Sequence, residues 1–188
     1  MKIENEKIIL ASASPRRREL LKEIVDDFSV VSSDVKEVAK SKDPEKTVEE
    51  LALLKASSLD SDGLIIAADT LVFDGKKPLG KPKNDDDAFD MLTELSNKVH
   101  CVYTGVCLKY KDETIVFHDK TDVEFRRLSP EEIRFYISEY NPSDKAGAYG
   151  IQDGYCVKRI SGSYSNVMGL PVEKLREKLK EIGVKVKE

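Results

Sequence analysis

Leu64-Ile65-Ile66-Ala67-Ala68-Asp69-Thr70 is an apolar run that ends abruptly on a carboxylate and a hydroxyl. A short apolar run bounded by turn residues reads as a buried strand. In open α/β sheets, ligands gather in the crevice beyond the carboxyl ends of the strands, so Asp69 and Thr70 stand where chemistry is expected. A loop aspartate can instead open a turn or cap a helix. Here Leu71-Val72-Phe73 follow, then the hairpin-type pair Asp74-Gly75. No helix begins at Asp69 for it to cap, which favours the functional reading.

Working outward, 188 residues suffice for one sizeable core or two tightly joined lobes, so a single domain spanning 1–188 is expected. A hydrophobic share of 40% is that of a globular chain. Thirty-one basic against thirty-five acidic residues give a net charge of -4. That balance argues against a surface given over to nucleic acid or to anionic membrane. Cys101, Cys107 and Cys156 are odd in number and lack C-x-x-C spacing, so they read as reduced thiols in a cytoplasmic protein. With two histidines in the chain, a zinc site at His100-Cys101 is not expected. Neither a bilayer-spanning stretch nor a secretory apolar region is present.

The first strand, Lys7 to Ala11, runs into Ser12-Ala13-Ser14-Pro15-Arg16-Arg17-Arg18 and then into Leu20, Leu21, Ile24 and Val25 at helical spacing. Ser14 is a natural N-cap and Pro15 a natural first helical residue. Free N–H groups at such a helix start make an anion site. Cations in a first turn oppose the helix dipole at about 0.3–1 kcal/mol each. A bound anion reverses the sign of that term. A phosphate or carboxylate site is therefore preferred over a merely solvated basic helix end.

Phe28 to Ser32 reads as a strand that empties into a polar stretch with Asp34 and Glu37, which taken alone is ordinary loop solvation. Pro44 opens a helix through Ala56. Lys55 falls one position past its apolar face and is by default a snorkelling surface lysine. Gly75-Lys76-Lys77-Pro78-Leu79-Gly80-Lys81-Pro82 nearly matches a P-loop, but Pro82 stands where Ser or Thr must hold magnesium. Proline also biases Lys81 away from helix, leaving a single lysine on an extended turn. A capped helix over 84–95, long alternating strands from Val99 to Tyr110 and Thr114 to Arg126, and a helix from Ser129 to Tyr140 follow. In Asp144-Lys145-Ala146-Gly147-Ala148-Tyr149-Gly150-Ile151-Gln152-Asp153-Gly154, small residues allow close approach to a flat ligand. The Gln152 amide can complement a nucleobase edge. Gly169-Leu170-Pro171 introduces a closing helix, Val172 to Ile182.

Ser-x-Ser-Pro-Arg-Arg, Ala-Asp-Thr, Gly-Lys-Pro, Asp-Lys-Ala-Gly-Ala-Tyr-Gly-Ile-Gln and Gly-Leu-Pro, in that order from Ile8 to Leu179, resemble the Maf family of nucleoside triphosphate pyrophosphatases. The resemblance implies an α/β fold similar to the inosine triphosphate pyrophosphatases: a long mixed, twisted sheet flanked by helices, with a cleft between two lobes. It implies metal-dependent hydrolysis between the α- and β-phosphates, with Asp69 as proton acceptor and Arg16, Thr70 and Gln152 tied to substrate choice. The Ala-Gly-Ala-Tyr-Gly-Ile-Gln version resembles the branch acting on dTTP and UTP. Arg16, Arg17, Lys55 and Lys81 are then expected to meet the triphosphate, with Ser12 and Ser14 in the anion loop. Asp69 with one more acid, Glu37 the candidate, would hold a divalent cation, Mg²⁺ or Mn²⁺. A homodimer is left open. A nucleotide-binding regulator of cell division without catalysis is the competing reading. A haloacid-dehalogenase-type phosphatase is excluded, since position 71 is Leu.

Overall fold

A computed structural model describes residues 1–3, 6–33, 35–36 and 38–187. In chain order the elements are β1 (Ile8–Ala11), α1 (Pro15–Lys22), β2 (Ser29–Val31), α2 (Pro44–Ser57), β3 (Leu64–Asp74), β4 (Lys77–Leu79), α3 (Asp85–Leu95), β5 (Val99–Tyr110), β6 (Glu113–Phe125), α4 (Pro130–Tyr140), β7 (Val157–Ser161), α5 (Tyr164–Met168) and α6 (Val172–Glu181). Three short 3-10 turns, Pro142–Asp144, Ala146–Ala148 and Ile151–Asp153, precede β7. The seven strands form one open mixed sheet in the order β2-β1-β3-β5-β6-β7, with β4 on β3. This is the mixed α/β sheet flanked by helices that the motifs imply.

The local chemistry explains the elements. Ser14 caps α1 by accepting from Arg17 N–H, Asn84 caps α3, and Ser129 with Glu132 closes a capping box on α4. Asp85, Asp86 and Asp87 open α3, where acids suit the dipole.

Side chains of β3 alternate between the two faces of the sheet. Leu64, Ile66 and Ala68 pack with Leu20, Leu21, Leu175 and Leu179 of α1 and α6. Farther along that same face, Val72 and Val102 pack with Leu92 of α3 and Ile133 and Tyr136 of α4. The opposite face is covered by α2, whose Ala52 and Ala56 meet Ile65 and Ala67. Gly105 makes this contact close: a Cβ there would lie 2.1 Å from the Val48 carbonyl oxygen.

One expectation is corrected here. Asp69 does not end a strand, because β3 runs unbroken to Asp74 and Asp69 sits in its middle. The strand that ends is β1. It runs parallel to β3 and stops at Ala11, opposite Ala67. On the same edge, β4 begins only at Val72, while β5 pairs the other edge from Ile65 to Phe73. Between β1 and β4, Ala68 to Leu71 therefore line a notch in the sheet. The crevice is where the open-sheet rule puts it, at the carboxyl end of β1; β3 simply passes through it.

Candidate active site

A cleft of about 600 Å³ occupies the notch. Ser12, Ser14, Arg16, Arg17, Lys55, Asp69, Thr70, Lys81 and Gln152 all line it. The structure thus brings together every site residue named from the sequence except Glu37, which lies outside the described residues.

Two walls carry charge. The β1–α1 loop supplies the first, with Ser12 accepting from Ser14 N–H at 3.1 Å and shaping the turn. Arg16 and Arg17 follow in the first turn of α1. Arg17 Nε donates to the Gly169 carbonyl at 2.7 Å, and Nη2 donates to Thr70 Oγ1 at 3.0 Å. Gly169 has φ 120°, which favours glycine, and this turns its carbonyl toward Arg17 after α5 ends.

Facing α2, Asp69 is 4% exposed and Lys55 is 9% exposed, with Lys55 Nζ 2.5 Å from Asp69 Oδ1. The expectation of a snorkelling surface lysine is therefore corrected. Gly105 lies opposite Asp69 in the sheet. Because α2 can settle onto Gly105, its last turn delivers Lys55 to the carboxylate. Asp69 Oδ2 is buried and makes no hydrogen bond among the described residues. An orphaned carboxylate oxygen at a cleft suits either a proton or a cation. Among the described residues no group of three His, Cys, Asp or Glu could hold a metal ion. A cation here would lean on Asp69 and on oxygens from the substrate, which is how magnesium is commonly held.

The second wall is the segment from Asp144 to Gln152. Arg16 Nη1 donates to Asp144 Oδ2 at 3.0 Å, spanning the two walls, and Lys145 Nζ meets Asp144 Oδ1 at 3.0 Å. Partial burial pushes the Asp144 carboxyl up, but the hydrogen bonds from Arg16 and Lys145 outweigh it and hold it below its ordinary value. Lys145 also lines the cleft; the small residues of its motif draw the sequence reading toward close ligand approach, and nothing in the spacing marks its charge. Gln152 and Lys81 are exposed on the rim. Gly147 N–H donates to the Gly80 carbonyl at 3.0 Å, tying the Lys81 turn to this wall. Beneath Gln152, the Tyr136 hydroxyl donates to Asp153 Oδ2 at 2.6 Å and accepts from Gly150 N–H at 2.9 Å.

Apolar lining completes the site, from Leu71, Val72, Val102, Ala146, Tyr149, Val167 and Met168. Tyr149 is buried against His100, whose Nε2 lies 2.8 Å from its hydroxyl. Burial lowers the His100 pKa to about 4, so the ring is neutral near pH 7. A long polar cleft with cations at its walls, one buried carboxylate and an apolar pocket can bind a polyanion carrying a flat ring.

The family described as "Maf-like protein" matches residues 7–182. A dTTP/UTP pyrophosphatase of Thermosipho melanesiensis is 52% identical over 170 residues, covering 89% of this chain and 93% of that protein. One from Thermosipho africanus is 50% identical over 180 residues, covering 95% of this chain and 94% of that protein. A third, from Flavobacterium psychrophilum, is 47% identical over 182 residues and covers 93% of each.

Proposed function

The chain belongs to the Maf-like protein family, and on that premise we propose that it hydrolyses dTTP and UTP to the nucleoside monophosphate and pyrophosphate. It is a hydrolase of the α–β phosphoanhydride bond. The observation that carries this is Asp69: a buried carboxylate with one oxygen fixed by Lys55 and the other without a hydrogen bond among the described residues, at the floor of a cation-lined cleft.

The geometry supports the following division of labour. Arg16, Arg17, Lys81 and Lys145 face the phosphates and offset their charge as pyrophosphate leaves. Lys55 holds Oδ1, so Oδ2 is the oxygen presented to an attacking water. Water attacks the α-phosphorus, the bond to the bridging oxygen breaks, and the water proton passes to Asp69. Asp69 would also hold a divalent cation, Mg²⁺ or Mn²⁺, which supplies further charge neutralisation when bound. Glu37, proposed from the sequence as its partner ligand, lies outside the described residues. Gln152, on the wall braced by Tyr136, reads the imide edge of uracil or thymine.

No helix among the described residues is long and apolar enough to cross a membrane. We place the enzyme in the cytoplasm, a reading that its three free cysteines support.

Pyrophosphate release from dTTP, UTP, CTP, ATP and GTP, with Mg²⁺, with Mn²⁺ and with a chelator, tests the proposal. The expected result is at least about tenfold higher kcat/KM for dTTP and UTP than for the others, given a site that hydrogen-bonds the imide. The chelator should abolish turnover. A protein that binds these nucleotides and releases no pyrophosphate would be a regulator instead, and a preference for ATP or GTP would end the pyrimidine reading.

A further inference from the structure

The hydroxyl of Thr70 has close polar neighbours whose chemistry and burial favour one direction for its proton. Arg17 Nη2, at 3.0 Å, can only donate to it. Thr104 Oγ1 lies 2.9 Å away, and that contact alone leaves the donor open. Thr104 Oγ1 also sits 3.0 Å from the Asn166 carbonyl, which can only accept. The Asn166 carbonyl also accepts from Gly169 N–H at 3.0 Å, so it does not by itself demand the Thr104 proton. Thr104 is fully buried, however, and only the order Thr70 to Thr104 to Asn166 gives its hydroxyl both a donor and an acceptor. The other acceptor within reach of Thr70, the Gly169 carbonyl at 3.4 Å, would take the same proton. With its proton on Thr104 or on the Gly169 carbonyl, Thr70 gives none to the cleft. In the order Thr70 to Thr104 to Asn166, with Arg17 donating to Thr70, one lone pair of Thr70 is left over.

This arrangement is held rigidly. Thr104, Thr121 and Asn166 are fully buried. Asn166 Nδ2 donates to the Val102 carbonyl at 3.2 Å and to Thr121 Oγ1 at 2.9 Å. Thr121 in turn donates to the Ser163 carbonyl and accepts from Ser163 N–H, both at 3.1 Å. Buried away from water, these groups have no substitute partners, and the network fixes α5 beneath Thr70.

Phosphate oxygens are acceptors, so a hydroxyl offering only a lone pair does not bind them; the neighbouring Arg17 does. Thr70 also points to the opposite face of β3 from Asp69, away from the reacting carboxylate. The group left for it is a donor on the nucleoside: the imide N3–H or a sugar hydroxyl. We propose that Thr104 is a specificity-positioning residue, which locks Thr70 as a hydrogen-bond acceptor and makes the cleft require a donor on the nucleoside half of the substrate. The inference rests on the dTTP/UTP reading of the cleft.

The test compares dTTP with N3-methyl-dTTP and with the 3′-deoxy analogue of dTTP, on wild type, Thr70→Val, Thr104→Val and Thr104→Ser. In the wild type, the analogue lacking the donor that Thr70 reads should lose about tenfold in kcat/KM, the scale of one hydrogen bond in a built site. That penalty should shrink to about twofold or less in Thr70→Val and Thr104→Val, and persist in Thr104→Ser, which keeps the hydroxyl. The ratio between substrates within one preparation is independent of how much of it is folded, and Thr104→Ala serves if the valine variant does not fold. Because Gln152 also faces the imide, the donor is identified by the analogue whose penalty shrinks in Thr70→Val. Equal ratios in wild type and Thr104→Val for both analogues, or no wild-type penalty on either, would overturn the inference. Failure of the wild type to release pyrophosphate from dTTP would instead remove the underlying reading.

Discussion

Asp69 and Thr70 are adjacent in sequence, yet the pleat of β3 sends them to opposite faces and into different chemistry. On the face covered by α2, Asp69 and Lys55 form a buried pair 2.5 Å apart, brought together because Gly105 lets the helix backbone approach the sheet. On the other face, Thr70 is held by Arg17 and by a chain of uncharged groups, Thr104, Asn166 and Thr121. The first arrangement concentrates charge, which suits the proposed activation of water. The second orients Thr70 with one guanidinium and a run of buried neutral dipoles, which suits the proposed recognition. On the proposed reading, one strand passing through a notch in the sheet keeps reaction and selection apart by a single residue.

The largest effect that would break this division is on Asp69. Asp69→Asn keeps the shape of the side chain and removes the proton acceptor, so pyrophosphate release should fall about 10³-fold, in the range of general-base removal. Circular dichroism should show the fold retained. Near-normal hydrolysis by this variant would move the chemistry off the α2 face. Next comes Lys55→Met, which leaves the Asp69 carboxylate buried without its cation and should cost about 3 kcal/mol in urea unfolding. Adding Asp69→Leu should restore most of that stability while hydrolysis stays absent, because apolar pairs commonly replace buried ion pairs without loss. If the double variant is no more stable than the single one, the pair serves the fold as much as the reaction.

Much of this was legible in the chain, for identifiable reasons. Caps at Ser14, Asn84 and Ser129 are local chemistry, and long alternating runs such as Val99 to Tyr110 carry their own period, so these elements fall where expected. The motif residues converge because the β1–α1 junction, the middle of β3, the Lys81 turn and the segment from Asp144 to Gln152 all border one notch. What was not legible depends on long-range packing. That β3 continues through Asp69 to Asp74 is decided by pairing with β5 on one edge and β4 on the other. The burial of Lys55 depends on Gly105, fifty positions away. Five residues of α5, Tyr164–Met168, are too few to show helical period. Thr104 reads as a routine strand threonine until Asn166 is placed beside it.

The smallest expected effect sharpens the recognition side of the comparison. Gln152 sits on the rim, exposed, and its side chain makes no hydrogen bond among the described residues. Truncating it removes nothing that supports the fold, so Gln152→Ala should leave the melting temperature unchanged. The full cost should appear in substrate use, as a loss of about five- to tenfold in kcat/KM for dTTP and UTP, the worth of one or two hydrogen bonds to a base edge. Gln152→Glu gives the sign. A carboxylate can accept from N3–H but repels the carbonyl oxygens flanking it, whereas guanine presents two adjacent donors. That variant should therefore lose dTTP and UTP and gain on GTP. An unchanged base preference in both variants would place base reading on the Thr70 side alone, with Gln152 a bystander at the rim.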